Sequence, residues 1–186
     1  GNTMSEELIV YHCSPTLAGL KTGNLFRCSY RSEKELLNEV RDLNKRLVKK
    51  GLRILPLKMQ DHFALIYVYR PSRLKEDISH KEAAEILGKY GYICNMPDQC
   101  VKRLSDKLKN QEQFPHEIGL FLGYPAEDVK GFIENGAKGC KCVGCWKVYG
   151  DEEKAKTLFA TYKRCTEDYL RYFRRGNIIE QLTVAV

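Results

Sequence analysis

Apolar and polar residues alternate along this chain in periods that predict one element after another. Residues 5–13 carry apolar positions at helical spacing, and Ser14-Pro15, a capping residue followed by proline, reads as a fresh helix start. The stretch LAGLKTGN that follows is loop-like, and residues 25–30 form a short strand. Ser32 and Glu35 make a capping box, after which Leu36, Val40, Leu43 and Leu47 recur at three- and four-residue steps until Gly51 ends the helix. Residues 52–59 and 63–70 then read as two strands of an antiparallel hairpin turning at Gln60-Asp61-His62. The second, FALIYVYR, is apolar on both faces, which predicts a central strand covered on each side.

Further on, Ser79 and Glu82 propose a second capping box for a helix through Ile86 and Leu87 that stops near Gly91. A helix over residues 97–110 sets Val101, Leu104 and Leu108 on one face. Residues 118–122 are strand-like, and Pro125 starts a helix with Val129, Phe132 and Ile133 inward that Gly136 ends. A strand over 146–149 leads to Asp151, which can cap a long helix with the stripe Ala155, Leu158, Tyr162, Cys165, Tyr169 and Tyr172. Gly176 ends it, and residues 178–184 read as a closing strand. The expected fold is α+β or mixed α/β: a single domain over residues 4–186 with one mixed five- or six-stranded sheet covered by helices. Residues 1–3 precede an initiator-like Met4 and read as an expression remnant.

With 186 residues, 43% of them hydrophobic, the chain can bury one substantial core. No run approaches the about 18 apolar residues of a membrane span, and the acidic start is unlike a signal peptide, so a cytoplasmic protein is expected. In that compartment most of the eight cysteines should be reduced thiols. The formal charge of +7 comes from basic residues spread over helices that also carry acids. That pattern is a solvated surface rather than a nucleic-acid footprint, and it leaves room for a small anionic ligand.

Residues 114–151 hold the densest constraint and the best candidate site. Cys140, Cys142 and Cys145, with Gly139 and Gly144 permitting tight turns, could direct three thiolates at a soft metal ion, zinc or iron. A fourth ligand would have to come from His116, Cys13, Cys28, Cys94 or Cys100. The bland alternative is a loop of small residues. Cys142-x-x-Cys145 has redox spacing, but a strand follows it where a thioredoxin-like pair would open a helix. His116-Glu117 offers an imidazole and a carboxylate beside a strand edge, suited to acid–base work or metal binding, or simply to local pairing. Lys21, Thr22 and Asn24 make a polar loop able to hold an anion, although AGLKTG lacks the full P-loop pattern. His12 and Cys13 are adjacent, so their side chains diverge, and a buried core thiol is the simpler reading of Cys13.

Three blocks, HCSPTLAGLKTGNLF (residues 12–26), FPHEIGLFLGYPAEDVKGFI (114–133) and WKVYGD (146–151), resemble the signatures of a bacterial family known only as a domain of unknown function, found mainly in anaerobic Firmicutes. The resemblance spans nearly the whole chain from Met4. It implies a stand-alone cytoplasmic protein and supplies no activity, cofactor or catalytic residue. The blocks with His12, His116 and Glu117 are more typical of that family than the three-cysteine cluster.

Two principal readings follow. One is a thiol- or soft-metal-handling protein built on Cys140, Cys142 and Cys145 with His116. The other is a small-molecule enzyme or binding protein whose pocket gathers His12, Cys13, Lys21, Asn24, His116 and Glu117. A protein-interaction domain is a third.

Overall fold

The computed structural model describes residues 4–93, 96–111 and 113–186. In chain order its elements are α1 (Glu6–Leu17), β1 (Gly23–Ser29), α2 (Glu33–Leu47), β2 (Arg53–Gln60), β3 (Phe63–Tyr69), α3 (Pro71–Ser79), α4 (Lys81–Lys89), α5 (Pro97–Asn110), α6 (Ala126–Asn135), β4 (Cys142–Val143), β5 (Lys147–Val148), α7 (Glu152–Arg174) and α8 (Ile179–Leu182). Short 3-10 helices occupy Val48–Lys50 and His116–Leu122. The chain divides into two compact units, one made of residues up to Ser72 together with Arg164–Val186, the other of Arg73–Lys163.

The first unit contains an antiparallel sheet in the order β1-β3-β2. The apolar run of β3 therefore takes the central place its sequence predicts, buried on both faces. Ala64, Ile66 and Val68 meet the apolar stripes of α1, α2 and α8 in one core, while Tyr67 and Tyr69 stack on the opposite side at 4.4 Å. As an edge strand β2 tolerates Pro56, which lies at a register shift between Pro56 and Lys58. The β2–β3 turn places Asp61 at φ 54° and His62 at φ 65°, the left-handed pair that a two-residue hairpin turn demands.

Several expectations are corrected. Among the described residues there is no five- or six-stranded sheet: the strands form one antiparallel sheet of three and another of two, within a mixed α/β chain. Residues 118–122 are the end of a buried 3-10 helix, because a short apolar run flanked by Pro115 and Gly123 satisfies its backbone locally. The expected closing strand is α8, whose buried Ile179 and Leu182 sit three residues apart, one helical turn. Pro15 lies inside α1 and starts no new helix, and the chain turns only after Leu17. Ser79 ends α3, a helix the sequence reading missed, and α4 begins after His80 without a side-chain cap. The capping roles of Ser32 and Asp151 hold, with Glu35 N donating to Ser32 Oγ at 3.3 Å and Lys154 N to Asp151 Oδ1 at 3.0 Å.

Candidate functional site

His12, Cys13, Lys21 and Asn24 belong to the first unit, His116 and Glu117 to the second. In the first unit each polar group has a structural contact. His12 stacks on Phe26 with ring centroids 5.2 Å apart, and burial lowers its pKa. Cys13 is fully buried in the core, and that burial pushes its thiol far up despite the nearby charge of Lys21. A thiol held protonated is a packing group and no nucleophile. Lys21 is buried with its ammonium donating to the Gly23 carbonyl, and Asn24 Oδ1 accepts from Thr16 Oγ1 at 2.6 Å.

Sequence reading missed the dominant polar residue of this unit. Arg70, fully buried at the end of β3, donates to the carbonyls of Thr16 (2.8 Å), Leu17 (2.9 Å), Lys50 (3.0 Å) and Val184 (2.7 Å). A guanidinium over the last carbonyls of α1 complements the negative end of that helix. The only signal was an arginine closing a wholly apolar strand.

In the second unit His116 and Glu117 part company. Glu117 is buried, and its carboxylate accepts from Lys107 Nζ at 2.8 Å and Tyr92 Oη at 3.0 Å. The Lys107 ammonium also stands 4.4 Å from the Tyr92 ring centroid. Burial, then the Glu117 charge, pushes the Tyr92 hydroxyl well up, so it stays a donor. This paired cluster closes the core; removing Lys107 or Glu117 would leave the other as an uncompensated buried charge. His116 instead is exposed, with its ring edge-on to Phe132 at 5.0 Å.

His116 opens on a cavity of about 470 Å³ within the second unit, inside the range of small-molecule sites. Its apolar wall includes Ile118, Tyr124, Val129, Phe132 and Trp146, and Phe114 and Val143 are exposed around it. Cys145 and Lys147 also line it. The wall is fixed by Asp128, a buried carboxylate that accepts from Trp146 Nε1 at 2.8 Å and from the backbone N–H groups of Tyr149 and Gly150, each at 2.9 Å. Those bonds fasten α6 to the β4–β5 hairpin. Trp146 stacks on Tyr124 (4.7 Å, 27°) and meets Phe159 edge-on (4.6 Å, 78°). Two glycines permit this packing: a Cβ on Gly131 would lie 2.3 Å from Tyr149 Cγ, and one on Gly144 2.3 Å from Phe159 Cδ2.

The cysteine cluster sits on that same hairpin, with Cys142 paired to Val148 and Cys145 in the turn. Cys13, Cys28, Cys140, Cys142, Cys145 and Cys165 are thiols outside any disulfide, and Cys100 is disulfide-bonded. Among the described residues no group of three or more His, Cys, Asp or Glu side chains is placed to hold a metal ion. The convergence that the spacing of Cys140, Cys142 and Cys145 allowed, with His116 completing it, is therefore not found; Cys94, another candidate ligand, lies outside the described residues. Only Cys142 lies on a strand, while Cys140 precedes it and Cys145 falls in the turn, a difference in backbone setting that sequence spacing cannot register. Cys145 lies close enough to Tyr124 to help raise its hydroxyl pKa, after burial.

Fold and cavity together define a mixed α/β protein in two compact units, the second enclosing an aromatic-walled cavity with an imidazole, a thiol and an ammonium on its lining. A family model described as a protein of unknown function, DUF3793, matches residues 9–183. The chain belongs to that family. No curated protein and no solved structure matches it. No helix among the described residues is long and apolar enough to cross a membrane.

Proposed function

We propose that this chain is a small-molecule-binding protein whose site is the cavity around His116. The observation that carries the reading is the cavity itself: about 470 Å³, walled by aromatic and branched side chains, with the Trp146 indole held in advance by Asp128. Such preorganisation lowers the ordering cost of binding. Of the pocket first drawn from His12, Lys21, His116 and Glu117, this reading keeps His116 and replaces the others with Cys145, Trp146 and Lys147. Glu117 serves the fold through Lys107, and the first-unit residues serve theirs through local contacts. The thiol of Cys145 and the imidazole of His116 give the site nucleophilic and proton-transfer groups, and no reaction is assigned to them.

A fragment screen by NMR tests the reading. Binding fragments should shift the methyl signals of Ile118, Val129 and Val143 together with the Trp146 indole N–H. A library that shifts none of these, or whose hits map to other residues, would refute it.

A further inference from the structure

We infer that the ligand of this cavity is a planar aromatic anion, its ring lying against the aromatic wall and its carboxylate, sulfonate or phosphate meeting Lys147 and His116. This rests on the preceding reading of the cavity as a ligand site, and it deepens that reading by naming the ligand class.

Shape gives the planar body. Tyr124, Phe132 and Trp146 are flat groups in the lining, and the Tyr124–Trp146 stack with the edge-on Phe159 holds the indole in a single orientation. Aromatic rings prefer offset or edge contacts with such surfaces, which favours a flat ligand over a branched aliphatic one.

Charge gives the anion. Besides Cys145 and the Tyr124 phenol, three charged or chargeable side chains line the cavity: Asp128, His116 and Lys147. The Asp128 carboxylate is buried, and three N–H donors already occupy it, so it offers a cationic ligand little. Lys147 forms no ion pair among the described residues; its ammonium stands 5.1 Å from the Phe132 ring centroid. The His116 ring meets that same Phe132 at 5.0 Å. Two N–H donors, one of them a full cation, thus flank one aromatic ring at the lining. An anion placed there gains a charge-assisted bond where water is partly excluded, and a ligand cation would meet repulsion from Lys147.

Isothermal titration calorimetry with 2-naphthoate and 2-naphthamide separates the claims. The two probes share a flat body and differ in charge. The acid should bind at least tenfold tighter than the amide, and Lys147→Met should reduce that gap to less than threefold while leaving amide affinity unchanged. Val143→Trp, a change at an exposed position on the cavity lining, should abolish binding of both. Equal affinity for acid and amide, or a gap that survives both Lys147→Met and His116→Asn, overturns the anion inference while the Val143→Trp result still supports the cavity as a site. Failure of both probes to bind, or binding that Val143→Trp leaves untouched, overturns the cavity reading itself.

Discussion

Replacing Asp128 with asparagine takes one carboxylate oxygen from a buried side chain that accepts three hydrogen bonds, at 2.8, 2.9 and 2.9 Å. The incoming amide nitrogen has two places to go. If it replaces Oδ2 it opposes the Trp146 indole N–H; if it replaces Oδ1 it opposes the backbone N–H groups of Tyr149 and Gly150. Either orientation sets a donor against a donor in a buried site and weakens the remaining bonds by removing the charge. The less costly orientation sacrifices the indole bond alone. A hydrogen bond to a charged group is worth about 1.5–3 kcal/mol, and an unsatisfied buried donor adds to the loss, so Asp128→Asn should destabilise the protein by about 2–4 kcal/mol. Urea unfolding followed by tryptophan emission reads this directly, because Trp146 is the single tryptophan of the chain. The native emission of the variant should also change as the indole loses its charged partner. A loss under about 0.5 kcal/mol with unchanged emission would refute the proposed fastening of α6 to the hairpin.

Other expectations follow from the same geometry. Alkylation of the native protein near pH 8, read by mass spectrometry, should label Cys145 and its neighbours Cys140 and Cys142 at least tenfold faster than Cys13, Cys28 and Cys165; burial raises all three of the latter thiols, Cys165 to about 11 with help from Asp168. Equal rates would contradict the burial assignments. Burial lowers the His12 pKa on folding, so the unfolded chain takes up that proton first: the stability tied to neutral His12 is present above its ordinary value near 6.5 and is lost as pH falls from there toward the folded value. His12→Phe, which keeps a ring against Phe26, should flatten the stability profile in that window, and an unchanged slope would count against the assignment. His62→Gly should stabilise the β2–β3 hairpin by about 0.5 kcal/mol, since glycine accepts φ 65° without the strain a side chain brings and loses part of that gain to backbone entropy; a loss above about 1 kcal/mol by thermal unfolding would mean that the ring contact of His62 with Tyr30 matters more than the turn.

What could be read in advance was whatever the chain encodes locally. The α2 stripe, the caps at Ser32 and Asp151, and the central position of β3 all follow from patterns a few residues long. The short apolar runs at 118–122 and 178–184 were misread as strands because such runs fit a buried helical turn equally well; Pro115, Gly123 and the three-residue step from Ile179 to Leu182 decided otherwise. For the site, the segment 114–151 contains every residue lining the cavity, so its location was legible. Its chemistry was not. Asp128 reaches Trp146 across 18 positions and Gly150 across 22, and Glu117 is taken out of contention by Lys107 from the preceding helix. Pairings of that kind depend on how α5, α6 and the hairpin fold together, and no local pattern carries them. The cysteine spacing misled for a related reason: it counts residues and does not show that only Cys142 lies on a strand while Cys145 falls in the turn.

The most direct test of the cavity as a ligand site is the single indole N–H signal of Trp146 in a ¹H–¹⁵N spectrum, titrated with aromatic fragments in the wild type and in Val143→Trp. The added indole of the variant is assigned separately. The account predicts a saturable shift of the Trp146 signal in the wild type that disappears in the variant. A signal that never moves, or moves equally in both proteins, would contradict it.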